Sequence, residues 1–317
     1  MIKEVTRHMT KKERIFAVLN GQETDRVPFS VYQHSTVHER SIDNFVKYTM
    51  DFYNKYDPDY IKVMFDENYD TPVNWQYLQS LEVWEELEEF DPHIGAFGRQ
   101  LEALKKIKIL AGPDVPVLQT IFSPFHFAHR LTNRRMIDDW KQAPDIVFKG
   151  LNTIASNLIK FAECCITEAG IEGFFFGAFG CEKGWMSEEQ YGKLVKPSDL
   201  KVLNELKNSE MVFLHIHGEE GSFFNLLKNY PCNAISWEDK LVEPTLKEAK
   251  KLTDKCLIGG IDHLNARVCS PEEIIREGRD SIEEVHGKGL ILAPGCTFPA
   301  DTPEVNMLAM KTAVGVG

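Results

Sequence analysis

Eight short apolar runs recur along the chain, and a stretch of helical periodicity follows each of them. They cover residues 26–33, 60–66, 115–123, 174–181, 211–218, 234–237, 257–261 and 290–296. Most are continuously apolar rather than alternating, as strands are when both faces of a sheet are covered. Strand–helix alternation repeated eight times predicts a parallel sheet wrapped by helices. The architecture expected is α/β, a single (β/α)8 TIM barrel, with a doubly wound open sheet as the alternative. The 317 residues show no internal boundary and suffice for one such domain, so residues 1–317 are read as one unit.

Local signals place the helices. Thr10 is positioned to cap a helix over 11–19, and Ser270 with Glu273 forms a capping-box pattern ahead of a helix running to about 286. Pro197 predicts a kink or break within 187–207. No phosphate-binding G-x-G-x-x-G or G-x-x-x-x-G-K pattern occurs.

Charge and cysteine content narrow the function classes. A formal net charge of −12 disfavours nucleic acid and anionic membranes as partners. No run of apolar residues is long enough to span a bilayer, and residues 1–14 lack an apolar leader, so a cytoplasmic location is expected. The seven cysteines follow no C-x-x-C pattern and read as free thiols or ligands.

Active sites of such barrels lie at the C-terminal ends of the strands. There the sequence places His34, Asp66, Glu67, His126, Cys181, Glu182, His215, His217, Glu238, Asp239, Asp262, His263 and Cys296. Side chains alternate along a strand, so His215 and His217 point the same way. With a thiol at the end of a later strand, Cys296, they can form an open three-ligand zinc site. The alternative is a hydrogen-bonded histidine layer beside a buried thiol.

Three segments carry a family resemblance: KKERIFAVLNGQETDRVPF near the start, IGGIDH, and LILAPGCTFPADTPEVNMLAM near the end. Together they resemble the uroporphyrinogen decarboxylase superfamily, whose fold is a (β/α)8 barrel. The superfamily's true decarboxylases carry an arginine-rich N-terminal segment for their polycarboxylate substrate. Here residues 31–40 read VYQHSTVHER, with one arginine, and only Asp66 looks like the decarboxylases' substrate-binding aspartate. The second chemistry of the superfamily is methyl transfer involving a corrinoid, with zinc held by H-x-C and a distant cysteine. This chain resembles that branch through His215, His217 and Cys296, with histidine at the middle position. Fewer anionic ligands would leave zinc a stronger Lewis acid.

The resemblance implies a zinc-dependent methyltransferase moving a methyl group between a corrinoid, such as methylcobalamin, and a small thiol, hydroxyl or amine. Zn2+ would sit on His215, His217 and Cys296. Asp66, Glu238 and Asp262 are the catalytic candidates, the latter two as groups orienting the histidines. The expected partners are a small methyl donor or acceptor and a corrinoid protein, and a homodimer is one assembly such a chain can form. Two other readings stand beside it. A metal-free decarboxylase would use Asp66 with cations gathered from Arg130, Arg134 and Arg135. A non-catalytic module would use the barrel mouth only to bind a corrinoid.

Overall fold

A computed structural model of the protein describes residues 8–35, 41–69 and 80–316. Seven of the eight apolar runs form strands: β1 (Ile61–Val63), β2 (Val117–Phe122), β3 (Gly173–Ala178), β4 (Met211–Ile216), β5 (Ala234–Trp237), β6 (Cys256–Ile261) and β7 (Leu290–Pro294). They make one sheet whose strand order is the chain order, and every pair is parallel. Helices follow the strands, as the alternation predicted.

The expectation of eight strands needs correction. Residues 26–33 are extended near Phe29 but form only isolated bridges, Phe29 with Leu292 and Gln33 with Phe298. Pro28 has no N–H to give a ladder. Its carbonyl accepts from Leu292 N–H, and Ser30 N–H donates to the Leu292 carbonyl. On the other side Asp59 N–H donates to the Phe29 carbonyl. The segment therefore touches both β7 and the residues leading into β1 without joining the sheet as a strand.

Alternation along each strand sorts the core into two layers. Val212, Leu214 and Ile216 of β4 pack in the layer between sheet and helices. Met211 and Phe213 point the other way, into a cluster with Tyr60, Leu118, Phe175, Ile258 and Ile291. His215 continues that second set. Several strands end earlier than the sequence suggested: β3 at Ala178, β4 at Ile216 and β7 at Pro294. Cys181, His217 and Cys296 consequently lie just beyond strand ends, where backbone direction is set by loops.

The helical signals hold with small shifts. Ser270 and Glu273 form the capping box of helix Pro271–Glu284. The stretch containing Pro197 is two helices, Glu188–Leu194 and Lys196–Leu206, with the proline in the first turn of the second. Among the described residues no helix is long and apolar enough to cross a membrane.

A buried ion network ties the N-terminal segment to β1. Arg14 donates to Asp25 and, at 2.6 Å, to Asp59, which is fully buried. Arg26 donates to both oxygens of Asp59, and Phe29 N–H donates to Oδ2 at 2.8 Å. Asp59→Ala takes one carboxylate partner from buried Arg14, which keeps Asp25, removes that of the partly buried Arg26 and leaves the Phe29 amide unpaired. Breaking one side of a buried pair costs about 3–5 kcal/mol, so urea unfolding of this variant is expected to show a loss in that range. A loss below about 1 kcal/mol would mean that the network behaves like a surface ion pair.

Candidate metal centre

Three strands bring their ends to one point. β4 supplies His215 and, one residue beyond it, His217. Glu238 follows β5, and Cys296 lies two residues past β7. Donor atoms of His215, Glu238 and Cys296 all lie within 4.8 Å of one another. Gly295 makes this approach possible. A Cβ there would stand 2.9 Å from the Glu238 Cα and 3.1 Å from the Trp237 carbonyl oxygen, so any side chain would drive Cys296 away from Glu238.

The His215 ring is oriented from below. Its Nδ1 lies 3.2 Å from the Ser236 hydroxyl, and β4–β5 register sets these two residues side by side. Burial pushes His215 well below the usual histidine range, so the ring is neutral. With the proton on Nδ1 toward Ser236, Nε2 carries its lone pair into the site. That atom is 3.7 Å from Glu238 Oε1. Both are buried, and among the described residues neither has a hydrogen-bond partner. The other Glu238 oxygen accepts from Gly218 N–H at 3.0 Å. Burial pushes Glu238 up to about 7, as expected of a carboxylate short of positive charge. Two buried acceptors facing each other unpaired are costly. A cation between them and the Cys296 sulfur would satisfy all three.

His217 is held differently. Its Nδ1 lies 2.7 Å from Glu182 Oε1, while Glu182 Oε2 accepts from Gly180 N–H. The ring stacks on Phe179, with centroids 4.6 Å apart. Its remaining edge faces Cys296. Burial opposes charge on this imidazole, but hydrogen bonding to Cys296 and Glu182 outweighs it and raises His217 to about 11. The structure thus gathers two of the expected ligands, His215 and Cys296, with Glu238, while His217 lies beside Cys296 outside that group. Glu182 takes the orienting position beside a ligand histidine.

His215, His217 and Cys296 form one wall of a cavity of about 580 Å³ that Lys62, Asp66, His126 and Arg130 also line. Asp66 Oδ1 lies 2.6 Å from His34 Nδ1, and its Oδ2 accepts from Ser35 N–H. His126 lies between Phe122 and Phe179, with ring centroids 4.5 and 4.4 Å away, and burial lowers it to about 3. Asp262 is not brought to the cavity. Its Oδ1 accepts from the N–H groups of Leu264 and Asn265, so it caps the short turn after β6. Of the three arginines proposed for a decarboxylase, only Arg130 lines the cavity, and Arg135 is paired with Asp139. Residues 36–40 of the arginine-poor segment lie outside the described residues. Sequence reasoning missed Lys62. The available signal was a lone charge inside the apolar run 60–65, at the parity of Tyr60.

The profile described as Uroporphyrinogen decarboxylase (URO-D) matches residues 61–315. The chain belongs to the uroporphyrinogen decarboxylase family. Within it, the chain is similar to the methylcobamide:CoM methyltransferase MtbA of Methanosarcina acetivorans, 22% identical over 74% of this chain and 68% of that protein. It is also similar to the methylcobamide:CoM methyltransferase MtaA of Methanosarcina barkeri, 26% identical over 67% of this chain. That match spans 62% of the relative's own length, less than two thirds. A solved methyltransferase from Methanosarcina mazei superposes with a TM-score of 0.80 at 20% identity, covering 96% of this chain and 98% of that one. At that identity the likeness establishes the fold.

The pairing of His217 with Glu182 has a measurable consequence in metal-free protein. A histidine whose folded pKa exceeds its unfolded value of about 6.5 stabilises the fold fully below that pH. The contribution drains as pH rises through about 11. Glu182→Gln removes the carboxylate among the two hydrogen-bonding partners. The His217 ring resonances, followed by NMR against pH, are expected to titrate clearly lower in the variant than in the parent. An unchanged midpoint would show that Glu182 does not hold this proton.

Proposed function

We propose that this protein is a zinc-dependent methyltransferase that moves a methyl group between a corrinoid and a small-molecule thiol, hydroxyl or amine. The observation that carries the zinc reading is the pair of buried, unpartnered atoms His215 Nε2 and Glu238 Oε1 beside the Cys296 sulfur. Imidazole, thiolate and carboxylate are all zinc ligands. The curated relatives named as methylcobamide:CoM methyltransferases support the reaction class and the corrinoid. A corrinoid carried by a partner protein or entering the cavity mouth by itself would serve equally.

The ligand set follows from the residues present. His215 and Cys296 would hold the ion, with His217 and Glu238 completing the set or yielding a position to substrate. Zinc bound there would act as a Lewis acid, lowering the pKa of a thiol or alcohol placed on it. Ser236 keeps the His215 lone pair aimed at the site. Glu182 fixes the His217 ring, and Gly218 N–H fixes Glu238. Because Glu238 sits near neutrality when buried, it can take a proton released inside the cavity or hold its charge toward a cation. Phe122 and Phe179 keep that side of the cavity apolar, which limits water around a reacting methyl group.

Protein purified without chelators is expected to hold about one zinc per chain. Cys296→Ala and Glu238→Gln should each weaken zinc binding by at least an order of magnitude. The fold should lose only about 0.5–3 kcal/mol, the range of an ordinary point change. Zinc content and thermal unfolding measured on the same samples decide the matter. A Cys296→Ala protein that melts early yet keeps its full metal content would sink the site as drawn.

A further inference from the structure

A second set of ligating side chains converges on the outer surface, away from the cavity. Asp91 and His93 lie in the turn that leads into helix Gly95–Ala111. Cys164 and Glu168 lie at the C-terminal end of helix Pro144–Thr167. That helix ends just ahead of β3, so this place is at the opposite end of the strands from the cavity. One donor atom each from His93, Cys164 and Glu168 lie within 4.8 Å of one another. Among the described residues the other such group is His215, Glu238 and Cys296.

The local backbone builds this convergence. Cys164 and Glu168 have the i, i+4 spacing that puts two side chains on one helix face. Glu168 N–H donates to the Cys164 carbonyl at 2.9 Å, so the helical turn still holds at the glutamate. Asp91 Oδ1 lies 2.7 Å from His93 Nδ1 and also accepts from the His93 backbone N–H at 2.9 Å. One oxygen therefore fixes both the ring and its backbone. Gly98 lets the turn lie against the helix that follows, since a Cβ there would stand 2.1 Å from the His93 carbonyl oxygen. His93 Nε2 then lies 2.8 Å from Glu168 Oε1, while Lys105 holds Glu168 Oε2 at 3.0 Å.

Asp91, His93, Glu168 and Lys105 would be complete as a surface ion network, and such a network has no use for a thiol. Cys164 is the member it leaves over. Imidazole, thiolate and carboxylate together are a zinc donor set. A carboxylate on Nδ1, leaving Nε2 as the donor, is how histidine ligands are commonly held. The C-terminal end of a helix also favours positive charge. With His93 neutral and Cys164 ionised, three negative groups face one ammonium, and a single divalent ion cancels the difference.

We infer that His93, Cys164 and Glu168 form a second metal site, for a borderline-soft divalent ion of the zinc kind, with water completing the coordination and Asp91 orienting the histidine. The ion replaces the proton shared by His93 Nε2 and Glu168 and the proton of the Cys164 thiol, and both protons pass to solvent. It ties the entry of helix Gly95–Ala111 to the end of helix Pro144–Thr167. The site shares no residue with the cavity and does not rest on the methyltransferase reading.

Cobalt(II) is the probe, because its bond to a thiolate gives a charge-transfer absorption that carboxylates and imidazoles alone do not produce. Chelator-stripped full-length protein is titrated with cobalt as the parent, as Cys164→Ser, and as His215→Ala/Cys296→Ala, which disables the cavity site. The His215→Ala/Cys296→Ala protein is expected to keep a thiolate band, to bind one cobalt per chain and to melt higher with cobalt than without it. Adding Cys164→Ser should abolish the band and the rise in melting temperature. Adding His93→Ala instead should weaken cobalt binding by at least about tenfold. The parent should hold one cobalt more than its Cys164→Ser variant, a comparison that stands even if the cavity variant folds poorly. A band that survives Cys164→Ser in the cavity variant, no band there at millimolar cobalt, or equal cobalt content in the parent and Cys164→Ser would each overturn the inference. A parent that binds a single cobalt, lost on Cys164→Ser, would count against the cavity metal and leave this site in place.

Discussion

Everything at this site depends on the two-residue period of strands whose faces are both covered. One set of side chains goes to the helices and the other to the interior, and neither can change sides without moving the whole strand. In β4 the inward set runs Met211, Phe213, His215, from apolar plug to polar site within one strand. Ser236 of β5 and Lys62 of β1 join at the upper level, over Phe175 and Tyr32. The lower half supplies stability, so the upper half can hold groups that are costly to bury.

Those groups are costly to bury as they stand. His215 Nε2 and Glu238 Oε1 face each other without partners. His217 is turned by Glu182 toward Cys296, and Lys62 lies against two rings with no carboxylate paired to it among the described residues. In a packed core such unpaired atoms are rare. They cluster at and beside one cavity of a chain that belongs to the uroporphyrinogen decarboxylase family. The same cavity gathers one arginine rather than a cluster, which fits a substrate with far less charge than a polycarboxylate.

The polar residues legible in the sequence were those with a motif or a parity behind them. H-x-H inside an apolar run predicted two imidazoles on one side, and the C-terminal signature pointed to Cys296. Asp262 carried the same kind of signal, a carboxylate after a strand, yet it caps a turn. A strand end delivers its next few residues in directions set by the loop, so position in sequence cannot separate a ligand from a cap. The eighth strand failed for a related reason: an apolar run gives extended backbone, but a proline denies it a ladder.

The sequence by itself determined what is periodic or local: repeated strands and helices, helix caps, the inward parity of His215, and the family. Only the tertiary structure decided which distant atoms meet. Glu238 reaches His215 and Cys296 because Gly295 lets two strand ends come together without a Cβ between them. Lys62 reaches the same cavity from a strand about 150 residues away in the chain. Such meetings follow from strand order and register around the sheet, which are properties of the whole chain packed at once. No short stretch of sequence contains them.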